Sequence, residues 1–254
     1  MGISVVEAVK ELQAREDIFV AYSQVTKLPF VACGEETYND QVFLFANEED
    51  LKGFGKKKLE DKILLMGMKY EKKDFPRMYG LFFSIGANSV IWNNGTEEIE
   101  VELEKVVRRP DLSKMEPKKR PLINDTLQLS AIYFLQELRR PVAKEEHHNL
   151  RELEEELLVN LKKSEFLVAM ERKEDEPNKI NIPYLKNKEG KILQPVFSDV
   201  MEFEKFAKGR KLRIAKVPFN KLTDIFLEQA EAMVINPMGF NLILNKDQLK
   251  KIIG

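Results

Sequence analysis

The sequence predicts an α/β (α+β) fold: two homologous small modules, each a mixed or mainly antiparallel sheet packed by helices, joined by a charged linker and an extra helix. Three observations predict it. Short apolar runs bounded by turn residues alternate with longer stretches in which apolar residues recur every three or four positions. The same elements come round twice in the same order, at an offset that drifts from 148 to 153 residues as loop insertions would make it. A basic, proline-bearing stretch separates the two sets.

In chain order, Val5 to Glu16 has helical periodicity, and Ile18-Phe19-Val20-Ala21-Tyr22 is a short apolar strand. Phe45 through Phe54 (FANEEDLKGF) is a strand end followed by a helix, with Asn47 placed to cap it. Ile63 to Met68 reads as a strand and Tyr70 to Met78 as helical, with Pro76 an interruption. Leu81 to Ile91 reads as strand, Gly86-containing turn and strand, a hairpin. Asn94-Gly95 is a two-residue turn signal leading into Ile99-Glu100-Val101-Glu102-Leu103, whose strict alternation suits a half-exposed edge strand.

The second set begins with the helical pattern Leu150 to Lys163 and the strand Phe166-Leu167-Val168-Ala169-Met170. Phe197 through Phe206 (FSDVMEFEKF) repeats the strand-and-helix unit with Asp199 as cap. Leu212 to Val217, a helical Phe219 to Gln229, the hairpin Ala232 to Leu244 and a short helix Lys246 to Ile253 complete it. Between the sets, Lys105 to Pro121 (KVVRRPDLSKMEPKKRP) is expected to be extended or disordered, and Leu127 to Arg139 to form the extra helix. The expected domains are residues 1–104 and 149–254, with 105–148 as linker and connecting helix. A duplicated module inherits the self-complementary surface of a homodimer, so a monomer with pseudo-dimeric modules, or a homo-oligomer, is expected.

At the second set the residues acquire a family likeness. Gln194-Pro195-Val196-Phe197 with its capped helix, Val217-Pro218-Phe219, and Val234-Ile235-Asn236-Pro237-Met238-Gly239-Phe240-Asn241-Leu242-Ile243-Leu244 resemble the N-terminal domain of the SseB family, named for enhanced serine sensitivity. The resemblance covers residues 161–254 well and the first set loosely, since Ser84-Ile85-Gly86 stands where the Asn-Pro turn would be. It implies a compact α/β fold in a bacterial cytoplasm and no particular reaction.

Charge and motifs narrow the function classes. Lys plus Arg total 41 against 42 Asp plus Glu, so no global field draws in nucleic acid or anionic membrane. The N-terminal stretch has neither a basic start nor an uninterrupted apolar run, and Val6 stands where a myristoylation signal needs Ser or Thr. The single Cys33 forms no internal disulfide, has no histidine near it in sequence and reads as a small core residue. Lys52-Gly53-Phe54-Gly55-Lys56-Lys57-Lys58 lacks phosphate-loop spacing and reads as a glycine helix cap with basic residues complementing the dipole. His147-His148 lack metal-ligand spacing and read as a solvated helix start; no metal and no cofactor is expected. The basic linker lacks interleaved aromatics, so self-association or solvation is favoured over nucleic-acid binding.

The Asn236 to Asn241 loop is the most distinctive local feature: two amides beside a glycine suit a small polar ligand or a peptide backbone, and equally suit a turn in which Gly239 takes a positive φ. The ligand-binding candidates are Asn236, Pro237, Gly239 and Asn241, with Gly86 and Asn88 at the matching position of the first set. The leading reading is a non-catalytic binding or regulatory protein that recognises a protein partner or small-molecule ligand; the alternatives are an enzyme whose site assembles at the inter-module cleft, and an oligomerising scaffold.

Overall fold

Ser4 opens helix α1 (Val5–Ala14) with a capping box: its side chain accepts from the Glu7 N–H while the Glu7 carboxylate accepts from the Ser4 backbone. The computed structural model that begins with this helix describes residues 2–109, 111–116, 119–173 and 176–254. The fold is α+β, and the chain forms two units: Met1–Pro117 with Ile132–Leu150, and Lys118–Ala131 with Arg151–Gly254.

Unit 1 continues with β1 (Asp17–Ser23), β2 (Val31–Cys33), β3 (Asp40–Phe45), α2 (Glu48–Glu60), β4 (Leu65–Glu71), α3 (Phe75–Ser84), β5 (Ser89–Asn93), β6 (Glu98–Glu102) and the one-turn α4 (Leu103–Val106). Its strands order as β4-β1-β3-β5-β6, with β2 alongside β3. Among the described residues only β3 and β5 of this sheet run parallel, and its other pairs are antiparallel. Ala21, Phe30, Phe45 and Leu51 form an apolar cluster beneath α2, with Phe43 stacked on Phe54 at 4.7 Å.

Helix α5 (Asp125–Leu138) contributes residues 125–131 to unit 2 and 132–138 to unit 1. Unit 2 then has α6 (Leu150–Lys163), β7 (Glu165–Lys173), β8 (Glu176–Asn181), β9 (Leu185–Lys186), β10 (Ile192–Val196), α7 (Val200–Ala207), β11 (Arg213–Pro218), β12 (Ala232–Ile235), β13 (Leu242–Asn245) and α8 (Lys246–Ile253). One sheet orders as β13-β12-β10-β9 and another as β11-β7-β8. A two-bond bridge joins β7 to the end of β10, because Leu167 and Phe197 exchange both backbone hydrogen bonds. The path β11-β7-β10-β12-β13 therefore has the order and strand senses of β4-β1-β3-β5-β6, including the single parallel pair, β10 with β12.

Several expectations need correction. The apolar run from Leu81 is the end of α3, not a strand: Met78, Leu81, Phe82 and Ile85 recur at helical spacing and are buried together. Pro76 sits in the first turn, where its missing N–H costs nothing, while Tyr70 belongs to β4. The glycine hairpin therefore exists only in unit 2, as β12–β13. Phe219 to Gln229 forms only a 3-10 turn, Phe219–Ile225. The Asn94-Gly95 turn spans four residues, since Asn93 pairs with Glu98. Leu103 starts α4 rather than ending the edge strand, the linker's Val106 is buried with it, and Leu112–Lys114 forms a 3-10 turn; residues 110, 117 and 118 lie outside the described residues.

Candidate functional site

The Asn236 loop is built into the fold through α7. Asn236 adopts φ +49° and is fully buried; its Oδ1 accepts from the Ser198 N–H at 2.9 Å and its Nδ2 donates to Ser198 Oγ at 2.7 Å. Its carbonyl accepts from the N–H groups of Gly239 and Asn241. Both polar atoms of its side chain are thus spent on holding the β12–β13 turn against the start of α7. Gly239 does not take a positive φ; Asn236 and Asn241 do. Glycine is needed at 239 for clearance, because a Cβ there would stand 2.6 Å from Glu202 Oε2.

That carboxylate is the unexpected member of the cluster. Glu202 is 1% exposed, its Oε1 pairs with Lys205, and its Oε2 is buried with no hydrogen-bond partner among the described residues. Asp199 caps α7 by accepting from the Glu202 N–H at 2.9 Å, and its other oxygen accepts from Ser198 Oγ and from Gln128 Nε2 of α5. Burial raises the pKa of both carboxyls, against the opposing pull of Lys205 and of the hydrogen bonds. Asp199 and Glu202 lie one turn apart in sequence and Gly239 stood out in its loop, yet Gln128, which completes their surroundings, gave no signal in the sequence.

Gly86 and Asn88 belong to unit 1. Gly86 has φ +84° and lets the chain leave α3; the Asn88 side chain accepts from the Asp40 N–H at 2.9 Å and so ties the starts of β3 and β5. Cys33 is exposed rather than in the core, because it ends the three-residue strand β2, in which Val31 is buried and Ala32 half-buried against the cluster beneath α2. His147 is not a solvated residue: its Nδ1 lies 3.3 Å from Glu137 Oε1, which also takes Arg140 at 2.7 Å and the His148 N–H. No His, Cys, Asp or Glu cluster among the described residues is arranged to hold a metal ion.

Gly53 and Gly55 are not a helix cap; both lie inside α2, whose cap is Asp61. The consequence is a groove of about 420 Å³ between α2 and β4. Leu51, Gly55 and Leu59 line it from the helix at spacings of four residues, while Ile63, Leu65 and Gly67 line it from the strand side. Glu48, Lys52 and Lys56 stand along it from α2. Lys52 pairs with Glu48 at 2.8 Å, and Lys56 has no ion pair among the described residues. Sequence reasoning missed this site, although a helix interior with two glycines two positions apart was its visible trace.

Unit 2 is an α+β module whose turn, helix start and buried carboxylates form one polar cluster. Residues 142–251 match the family model described as the SseB protein N-terminal domain. No curated protein matches the chain. Among solved structures, it is similar to Tic22 from Plasmodium falciparum at 12% identity, covering 96% of this chain and 94% of that one, with a TM-score of 0.23. It is also similar to Anabaena Tic22 (protein transport) at 10% identity, covering 92% of each chain, again with a TM-score of 0.23. Superposition at that level carries no argument about fold or function. No helix among the described residues is long and apolar enough to cross a membrane.

Proposed function

We propose that the protein is a non-catalytic binding protein that takes a polypeptide partner in the α2–β4 groove of unit 1. The observation that carries this reading is Gly55. A glycine inside a helix costs about 1 kcal/mol relative to alanine, and a Cβ at this one would meet nothing within 4 Å. Packing within the unit gives no reason for the missing side chain; the groove does, since Gly55 keeps open the space above Leu51, Leu59 and Leu65. An apolar floor with a mixed-charge rim suits an apolar side chain carried on a polar backbone. A bacterial cytoplasmic setting is part of the same proposal.

The test is selection of a random seven-residue peptide library on the full chain, repeated on Gly55→Leu. A Cβ at position 55 meets nothing within 4 Å and leucine has the higher helix propensity, and urea unfolding of the variant at native stability separates loss of binding from loss of fold. Peptides that carry an apolar residue and lose at least tenfold in affinity for the variant support the reading. Selected peptides that bind both proteins equally, or no enrichment at all, overturn it.

A further inference from the structure

Strand β4 is the outermost strand of its sheet, with β1 on its inner side and no strand on its outer side among the described residues. The parity of its ladder is fixed at both ends: the Lys72 N–H donates to the Glu16 carbonyl and the Gln24 N–H donates to the Leu64 carbonyl. In an antiparallel pair the residues that exchange hydrogen bonds alternate, so 64, 66, 68, 70 and 72 face β1. Leu65, Gly67, Lys69 and Glu71 therefore direct their N–H and C=O groups outward. The Leu65 carbonyl is taken by the Gln24 side chain at 2.8 Å. Gly67 and Lys69 remain with outward donors and acceptors, and Glu71 with an outward N–H, its carbonyl being spent on the 3-10 helix Lys72–Asp74 that it caps.

Lysines on edge strands ordinarily discourage pairing by projecting over the edge. Here Lys69 folds back, with its Nζ 2.7 Å from Asp17 and 5.6 Å from the centre of the Phe19 ring, while Lys72 and Lys73 pair with Glu16 and Glu71. The open edge and the groove also share residues, since Leu65 and Gly67 belong to both. We infer that an extended peptide segment adds to β4 as a further strand, placing an apolar side chain in the α2–β4 groove and a carboxylate on the same face against Lys56. This deepens the groove reading and rests on it. Side chains two residues apart lie on one face of a strand, about 7 Å from each other. A strand with an apolar residue and an acidic one at that spacing matches Gly55 and, beside it, Lys56, which has no ion pair among the described residues. The main chain would supply affinity and the two side chains specificity.

The probe is a blocked seven-residue peptide with threonine at the odd positions, leucine at the second and sixth and glutamate at the fourth, titrated into the full chain by fluorescence anisotropy. Two derivatives carry backbone N-methyl groups on alternate residues, one on the odd set and one on the even set. Strand addition predicts that one derivative loses at least tenfold in affinity while the other binds like the parent, and that lysine in place of the glutamate weakens binding and reverses its salt dependence. On the protein, Lys69→Pro removes an outward N–H that the sheet does not use, and Lys69→Ala loses the same side chain but keeps that N–H. Proline is expected to abolish binding and alanine to preserve it. If the parent binds, Gly55→Leu loses it and both N-methylated peptides bind like the parent, strand addition is overturned while the groove stands. If the parent binds Gly55→Leu as tightly as the native protein, the groove reading itself fails. No binding at peptide concentrations of about 1 mM also overturns strand addition.

Discussion

Gly239 and Glu202 make a pair whose coupling is measurable. A methyl group on residue 239 would press on a carboxylate already held by Lys205, so Gly239→Ala is expected to destabilise the protein by about 1–3 kcal/mol. In a Glu202→Ala background the same change should cost about 1 kcal/mol less, because the atom it strikes is gone. Equal costs in the two backgrounds, measured by urea unfolding, would show that the glycine is required for something other than clearance. Glu202 also sets a pH dependence. Burial raises the pKa values of Asp199 and Glu202 in the folded state above their unfolded values, so the folded protein holds those protons more tightly. Their effect on stability is nil at a pH below the ordinary carboxylate range, becomes unfavourable as pH rises through it, and is complete above the raised values. Replacing Glu202 by Gln should therefore raise stability more at about pH 7.5 than at about pH 5. A pH-independent difference between native protein and variant would sink this assignment.

At the scale of elements, local signals were legible and long-range ones were not. The caps Asn47 and Asp199 announced α2 and α7 because capping is settled within four residues, and both side chains accept the expected N–H, from Asp50 and Glu202. Helices α6 and α8 followed from apolar spacing in the same way at both ends, and α5 to within two residues, starting at Asp125 rather than Leu127. Leu81 to Ile85 failed for the opposite reason: a short run with four apolar residues in five fits a strand or a buried helix equally, and the decision lay upstream with Phe75 and Met78. Gly53 and Gly55 failed because glycine usually ends helices, and nothing local revealed a groove beyond them. That misreading yields a prediction. A Cβ at either position would meet nothing within 4 Å, so Gly53→Ala and Gly55→Ala should each stabilise the protein by about 0.5–1 kcal/mol in chemical denaturation. Gly53 does not line the groove, so only the change at 55 should also weaken peptide binding. A gain in stability at both positions with no difference in binding would remove the functional reason for Gly55.

At the scale of the chain, the buried cluster of unit 2 depends on a segment that precedes the SseB-matching residues. Asn124 donates from Nδ2 to the carbonyls of Glu165 and Ser198, each at 2.7 Å. Gln128 donates to the buried Asp199, and Ser130 Oγ accepts from Asn160 at 3.2 Å. Leu122 packs against the cluster of Leu167 and Phe197. These partners stand 30 to 74 residues apart in sequence, which is why the cluster had no sequence signature. The consequence concerns what constitutes a folding unit. A fragment starting at residue 142 keeps everything the family model matches but loses these four hydrogen bonds, along with the longer ones from Asn160 to the Thr126 carbonyl and from Lys216 to the Arg120 carbonyl, and leaves Asp199 with one fewer donor. At about 1 kcal/mol per bond the loss is about 4 kcal/mol, a large share of a typical domain's stability. Residues 119–254 should therefore unfold cooperatively at a clearly higher urea concentration than residues 142–254. The full chain permits the same test without exposing the apolar face of residues 132–138. Asn124→Ala combined with Gln128→Ala should destabilise unit 2, read through hydrogen exchange of β7 and β10, and leave the exchange of β1 and β3 unchanged. Equal stability of the two fragments, with unchanged exchange in the double variant, would mean that the segment before residue 142 contributes nothing to the fold that follows it.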